Sequence, residues 1–93
     1  MTVARHLVIR GRVQGVWYRG WAVDTARALG LAGWVRNRRD GTVEAVVQGN
    51  EEAVDRFIEL AHGGPQTARV ERVETSDTAV EDNWLGFRQE ATV

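Results

Sequence analysis

The stretch Leu7-Val8-Ile9-Arg10-Gly11-Arg12-Val13-Gln14-Gly15-Val16-Trp17-Tyr18-Arg19 decides the fold, because a glycine-punctuated loop in it joins a strand to a helix. Residues 3–10 are rich in Leu, Val and Ile, as strands are. Residues 21–29 predict a helix that ends at Gly30. The first N–H groups of a helix have no partners within it, and the helix dipole favours an anion there. Arg19 adds a planar fork of donors at the start of this helix, so the stretch predicts a site for a phosphate-sized anion.

Simpler explanations of the loop stay open at this point. Glycines between a strand and a helix often serve only the turn, and most arginines lie at the solvated surface. All twelve basic residues of the chain are arginine, so Arg19 does not indicate a choice of arginine over lysine. The loop lacks the Gly-Lys-Ser/Thr ending of a Walker A motif and the Gly-x-Gly-x-x-Gly spacing of a dinucleotide-binding loop.

The rest of the chain continues the alternation of strands and helices. Asp40-Gly41 predicts a hairpin turn, because both positions of such a turn prefer residues that tolerate positive φ. Asn50 is a plausible N-cap for a second helix that ends near His62. Residues 68–75 alternate unevenly, which is typical of an edge strand, and 78–83 predict a polar loop. The remaining strands are predicted over 33–38, 42–48 and 84–90.

This order of elements is β-α-β-β-α-β with a short fifth strand. It predicts an α+β fold of the ferredoxin-like class, a two-layer sandwich with two helices on one face of an antiparallel sheet. A chain of 93 residues predicts a single domain over 1–93. The fold class alone does not determine an activity, because it hosts many unrelated functions.

The composition is that of a soluble globular protein, with 43% hydrophobic and 27% charged residues. No apolar run approaches the roughly 20 residues needed to span a bilayer, and the first residues lack a signal-peptide pattern. The chain has no cysteine, and therefore no disulfide framework and no thiolate nucleophile. We therefore expect a cytoplasmic protein, a monomer, with no membrane partner.

The net charge of −1 conceals an asymmetry along the chain. Residues 1–40 carry eight arginines and two aspartates, whereas 41–93 carry four arginines and eleven acids. The basic half contains the anion loop and would favour an anionic ligand, unless the fold interleaves the two halves. A nucleic-acid partner is not expected, because the predicted central strands offer no aromatic side chains for base stacking.

The chain lacks the residues that most kinds of enzyme catalysis require. His6 and His62 lie on different predicted elements without a carboxylate at ligand spacing, so neither a metal site nor a cofactor is expected. Ser76 is the only serine and has no nucleophile-elbow pattern around it. One reaction tolerates this shortage, the hydrolysis of an acyl phosphate. Its leaving group is a carboxylate with a pKa of about 4 to 5, which departs without a general acid. The site then only has to hold the phosphoryl group and aim a water molecule.

Asn37 is the candidate for aiming the water. Strand interiors are depleted in asparagine, and an amide both donates and accepts hydrogen bonds. Asparagine is also common beside hairpin turns, so Asn37 could simply begin the bend before Asp40-Gly41.

Two blocks of the chain resemble the signatures of the acylphosphatase family. The first is the loop block 11–19, and the second is Gly33-Trp34-Val35-Arg36-Asn37-Arg38-Arg39-Asp40-Gly41-Thr42-Val43-Glu44. Gly64-Pro65 with Ala68-Arg69-Val70 resembles a third, weaker stretch. The resemblance covers nearly the whole chain, and it implies a ferredoxin-like fold without metal or cofactor. It also implies hydrolysis of small-molecule acyl phosphates to a carboxylate and inorganic phosphate.

The resemblance also implies a role for individual residues. Arg19 is implied to be the catalytic, phosphate-binding arginine, and Asn37 the residue that orients the attacking water. The loop is implied to bind phosphate through backbone N–H groups, over Gln14, Gly15, Val16, Trp17, Tyr18 and Arg19. The family usually has phenylalanine where this chain has Tyr18, whose hydroxyl is free to find a partner. The role of Trp17, as a wall of the site or as packing, stays open.

Other functions on the same fold remain possible from the sequence. The loop could serve a non-catalytic module that binds phosphate or a phosphorylated metabolite. The fold also resembles the acylphosphatase-like domain found inside larger maturation enzymes.

Overall fold

The structure, a computed structural model, describes all residues from 1 to 93. Five strands form one sheet in the order β4-β1-β3-β2-β5, and two helices lie against it. The elements are β1 Thr2–Arg12, α1 Tyr18–Ala28, β2 Ala32–Asn37, β3 Val43–Asn50, α2 Glu51–Ala61, β4 Arg69–Asp77 and β5 Phe87–Gln89.

The predicted ferredoxin-like α+β fold is confirmed, with one difference in the sheet. β4 lies at an edge as predicted, and β1 to β4 pair antiparallel. β5, however, runs parallel to β2, with Gly33 opposite Phe87, so the sheet is mixed rather than wholly antiparallel. The reason is the path of the connection, which leaves β4 opposite the start of β1 and crosses the same end of the sheet. Gln48 binds this connection there by two hydrogen bonds to the backbone of Glu81. A strand that starts from this end has to run in the direction of β2.

The core lies between the sheet and the helices. Alternate residues of the strands face the helices, which is the period-2 pattern of a half-buried sheet. The Phe57 ring lies 6.1 Å from Trp21 and 6.2 Å from Phe87, so aromatic contacts join both helices to β5. The most deeply buried side chains of this core include Leu7, Ile9, Val13, Tyr18, Val35, Val43, Val47, Val54, Phe57 and Phe87.

Gly11 lies near the end of β1, where the strand has parted from β3 but is still paired with β4. The register between β1 and β4 shifts at Arg10/Gly11, which marks an irregularity of the bulge type. A Cβ on Gly11 would lie 2.2 Å from the backbone oxygen of Arg69, and its φ is 128°. Only glycine fits this close approach, after which the chain turns away into the loop before α1. Neither helix is long and apolar enough to cross a membrane.

Candidate active site

The loop between β1 and α1 has the backbone form of an anion-binding loop. Gly15 and Trp17 have φ values of 72° and 66°, whereas Val16 between them is not in the positive-φ region. Such alternation in the sign of φ is characteristic of concavities lined by backbone N–H groups. The N-terminus of α1 follows directly, with no side-chain cap and no acidic residue in its first turn. Its free N–H groups are therefore available to a bound anion.

Arg19 lies in the first turn of α1 and is partly exposed. None of the ion pairs in the structure includes it. Its guanidinium therefore carries an uncompensated positive charge beside the free N–H groups of the helix, as an anion site requires.

Asn37 is the last residue of β2, and the residue is 9% exposed. Its Oδ1 is fully buried and accepts no hydrogen bond. Its backbone is held, because its carbonyl oxygen accepts a hydrogen bond from Val93 N at 3.2 Å. A buried amide oxygen without a partner carries a desolvation penalty, which a bound donor such as water would relieve.

A cavity of about 240 Å³ brings the two candidate residues together. Of the six predicted loop residues, Gly15, Trp17, Tyr18 and Arg19 line it, whereas Gln14 and Val16 do not. Gln89 of β5 is a wall residue that the sequence analysis missed, because only the parallel pairing of β5 with β2 places it there. The complete lining is Val13, Gly15, Trp17, Tyr18, Arg19, Gly20, Asn37 and Gln89.

The side chain of Gln14 ties the loop to the turn that follows Asn37. Its Nε2 donates to the carbonyl oxygens of Arg38 at 2.7 Å and Thr42 at 2.8 Å. That turn is closed by Asp40, whose Oδ1 accepts from the Thr42 hydroxyl at 2.6 Å and from the Thr42 amide at 3.0 Å. These hydrogen bonds lower the pKa of the Asp40 carboxyl. The sequence predicts a role for the Gln14 backbone alone, whereas in the structure the Gln14 side chain ties the loop to the turn beside Asn37.

Two further contacts hold the loop from the helix side. The Thr67 hydroxyl donates to the Val16 carbonyl oxygen at 2.6 Å. The Tyr18 hydroxyl donates to the Ala61 carbonyl oxygen at 2.7 Å, and burial raises the pKa of Tyr18. Gly64 packs against the Tyr18 ring, since a Cβ there would lie 2.6 Å from Cε2. The tyrosine that departs from the family pattern thus has a buried structural partner.

The two histidines and the single serine, for which no catalytic role is predicted, lie apart from one another. The His6 Nε2 pairs with Glu44 Oε2 at 2.6 Å, and the His62 Nδ1 lies 2.9 Å from the Ile58 carbonyl oxygen. Ser76 lies in the edge strand β4. The structure contains no cluster of three or more His, Asp or Glu side chains in a metal-binding arrangement.

The fold interleaves the basic and acidic halves of the chain. Arg10 pairs with Glu74 at 2.9 Å, and Arg36 pairs with Glu44 at 2.8 Å. Arg12 and Arg19, at either end of the loop, take part in no ion pair. The fold therefore pairs part of the basic half with acids, whereas the arginines at the two ends of the loop keep their positive field.

The chain is similar in sequence and in fold to known proteins. The family model described as Acylphosphatase matches residues 5–89. A protein named Acylphosphatase from Azorhizobium caulinodans is 53% identical over 93 residues, covering 100% of both chains. Another of that name from Rhodospirillum rubrum is 53% identical over 85 residues, covering 91% of this chain and 92% of its own. The solved structure of an acylphosphatase from Coxiella burnetii superposes with a TM-score of 0.91 at 34% identity, covering 96% of this chain and 93% of the other.

Proposed function

Because this chain belongs to the acylphosphatase family, we propose that it hydrolyses acyl phosphates to a carboxylate and inorganic phosphate, without a metal or a cofactor. The observation that carries the proposal is the pairing of two incomplete groups in one cavity. The Asn37 Oδ1 is buried without a hydrogen-bond partner in the protein, and the Arg19 guanidinium in the same cavity takes part in no ion pair. An anionic substrate together with a water molecule would complete both groups.

The phosphoryl group binds at the loop in this proposal. The backbone N–H groups over 14–19 and the Arg19 guanidinium donate hydrogen bonds to its oxygens and neutralise their charge. Phosphoryl transfer depends mainly on positioning and on electrostatic stabilisation, which such a set of fixed donors provides. Gln14 and Thr67 keep these donors in place, because they bind the loop to the turn after β2 and to the segment before β4.

Asn37 orients the nucleophile. The Asn37 amide, which lines the cavity, binds a water molecule and directs the oxygen lone pair of that water towards phosphorus. A bond forms between the water oxygen and phosphorus while the bond between phosphorus and the acyl oxygen breaks. An amide is not a base, so the proton of the attacking water leaves with the products. The carboxylate departs unaided, because its pKa is about 4 to 5.

The first experiment measures the hydrolysis of acetyl phosphate, with EDTA present, by the wild type, Arg19→Ala and Arg56→Ala. Arg56 is the matched control, because it is also a helical arginine but pairs with Glu59 on the exposed side of α2. We expect Arg19→Ala to lose turnover by about 10²- to 10³-fold, since it removes a main stabiliser of the phosphoryl charge. Arg56→Ala should keep wild-type turnover.

Other results would redirect or overturn the proposal. Full turnover by a folded Arg19→Ala variant would refute the role of Arg19. If inorganic phosphate raises the melting temperature of the wild type but the wild type does not hydrolyse acetyl phosphate, the chain is instead a phosphate-binding module. A monomeric state and a cytoplasmic location remain predictions from the sequence.

A further inference from the structure

Trp17 occupies an unfavourable backbone conformation at the edge of the candidate site. It is the only residue other than glycine with a positive φ, at 66° with ψ 21°. Bulky side chains rarely adopt this left-handed region, because the Cβ approaches the following carbonyl oxygen. The side chain gains little burial in return, since Trp17 is 62% exposed. Strained residues of this kind concentrate at binding and catalytic sites.

Gly20 makes room for the indole. It lies within α1, where glycine is less favourable than alanine, and a Cβ there would lie 2.1 Å from the Trp17 Nε1. The indole therefore rests directly against the helix backbone at Gly20. Trp17 and Gly20, which touch in the structure, thus each cost stability, and an exposed aromatic ring results from their contact.

The indole lies at the boundary between two cavities. The first is the cavity of about 240 Å³ that holds Arg19 and Asn37. The second, of about 470 Å³, lies on the other side of the loop and is lined by Arg12, Gly15, Val16, Trp17 and Thr67. Trp17 and Gly15 belong to both. Gly15 has no side chain, so the indole is the only side chain shared by the two walls.

We propose that the indole of Trp17 is the platform on which the acyl group of the substrate stacks, so that the chain favours acyl phosphates whose acyl group is a flat aromatic ring. The inference rests on the proposed function, because it takes the phosphoryl group to bind beside Arg19. Trp17 lines the same cavity as Arg19, so an acyl group joined to that phosphorus lies within reach of the indole. Aromatic rings stack on indole in offset or edge-to-face arrangements, and a small aliphatic acyl group offers too little surface for this contact. Trp17 is in this sense a specificity-determining residue.

The test compares kcat/KM for benzoyl phosphate with that for acetyl phosphate. The ratio carries the inference, because any disturbance of the loop backbone lowers both values together. Trp17→Asn removes the ring but keeps a residue that tolerates positive φ, and Trp17→Phe keeps an aromatic face. We expect the ratio to fall about fivefold in Trp17→Asn, mainly through a higher KM for benzoyl phosphate, and to stay within about twofold of wild type in Trp17→Phe.

A second variant tests the same ring without changing it. Gly20→Ala places a methyl group where the indole lies, so the ring must move, and we expect the ratio to fall as in Trp17→Asn. An unchanged ratio in both Trp17→Asn and Gly20→Ala, with both substrates hydrolysed, would overturn the inference and leave the proposed function intact. Hydrolysis of neither substrate by the wild type would instead overturn the proposed function, and the platform with it.

Discussion

Arg36 and Asn37 are neighbours in β2, but their side chains point to opposite faces of the sheet and meet opposite surroundings. On the face away from the helices, Arg36 donates to Glu44 at 2.8 Å and lies 4.5 Å from the Trp34 ring centroid. The other oxygen of Glu44 pairs with His6 at 2.6 Å. On the helix face, the buried oxygen of Asn37 has no partner. The polar side chains of Arg36, Glu44 and His6 therefore satisfy one another, whereas the Asn37 Oδ1 has no hydrogen-bond partner within the protein.

The N-termini of the two helices differ in the same way. The Asn50 side chain accepts a hydrogen bond from Glu52 N at 2.9 Å, and Glu51 and Glu52 place negative charge in the first turn of α2. α1 has neither a capping side chain nor an acidic residue there. Since an uncapped N-terminus costs stability, the chain retains this cost only at the helix that meets the candidate site. The contrast separates groups that hold the fold from groups that are kept free for a substrate.

Among the variants that test this contrast, Asn37→Ala is expected to have the largest effect. Asn37→Ala should lower turnover of acetyl phosphate by about 10²-fold, because the attacking water loses its acceptor. The free energy of unfolding should change by less than about 1 kcal/mol, since the amide oxygen makes no hydrogen bond that could be lost. Kinetic assays and urea unfolding measure the two quantities.

Inhibition by inorganic phosphate is the control for this variant, because phosphate binding relies on the loop and Arg19. A wild-type inhibition constant is expected for Asn37→Ala. A large loss of stability together with unchanged turnover would reverse the assignment and make Asn37 a structural residue.

For Glu44 we expect the reverse of Asn37, a loss of stability without a loss of turnover. Burial alone would raise the pKa of Glu44, but its hydrogen bonds with His6 and Arg36 outweigh burial and lower the pKa below its ordinary value. A carboxyl with a lowered pKa in the folded state stabilises the protein at neutral pH, and this contribution is lost as the pH falls below about 4.3. Glu44→Gln should therefore reduce the free energy of unfolding by about 1–2 kcal/mol at pH 7 and keep its turnover.

The pH dependence of this stability difference tests whether the charge of Glu44 is its cause. The difference in melting temperature between wild type and Glu44→Gln should narrow as the pH is lowered from about 5 to 3, because the wild-type carboxyl takes up a proton over this range. A constant difference over this range would show that the charge of Glu44 is not what stabilises the sheet.

The smallest effect is expected at the cap of α2. Asn50→Ala should reduce the free energy of unfolding by about 1 kcal/mol, because Glu52 N loses its acceptor. Turnover should remain at the wild-type value, since α2 contributes no residue to the cavity wall. Thermal unfolding and the acetyl phosphate assay check both statements. Asn50→Asp is the matched control, because aspartate is an equally good N-cap and should preserve stability.

The sequence by itself determined the features that depend on neighbours along the chain. The order of elements, the Asp40-Gly41 turn, the Asn50 cap and the loop before α1 follow from periodicity and local hydrogen bonding. The two blocks that resemble acylphosphatases also placed Arg19 and Asn37 as candidates before any geometry was known. These signals are local, so they can be interpreted without knowledge of the fold.

Only the tertiary structure decided which distant groups meet. The parallel direction of β5, and with it Gln89 in the cavity wall, depends on a connection that crosses the sheet. The Gln14 side chain finds its acceptors 24 and 28 residues away, and Tyr18 finds Ala61 43 residues away. Whether a polar atom is satisfied is likewise a property of everything packed around it, as the unpartnered oxygen of Asn37 illustrates. Hydrogen bonds and burial between remote segments arise only when the chain is closed into its layers, and periodicity along the sequence does not encode them.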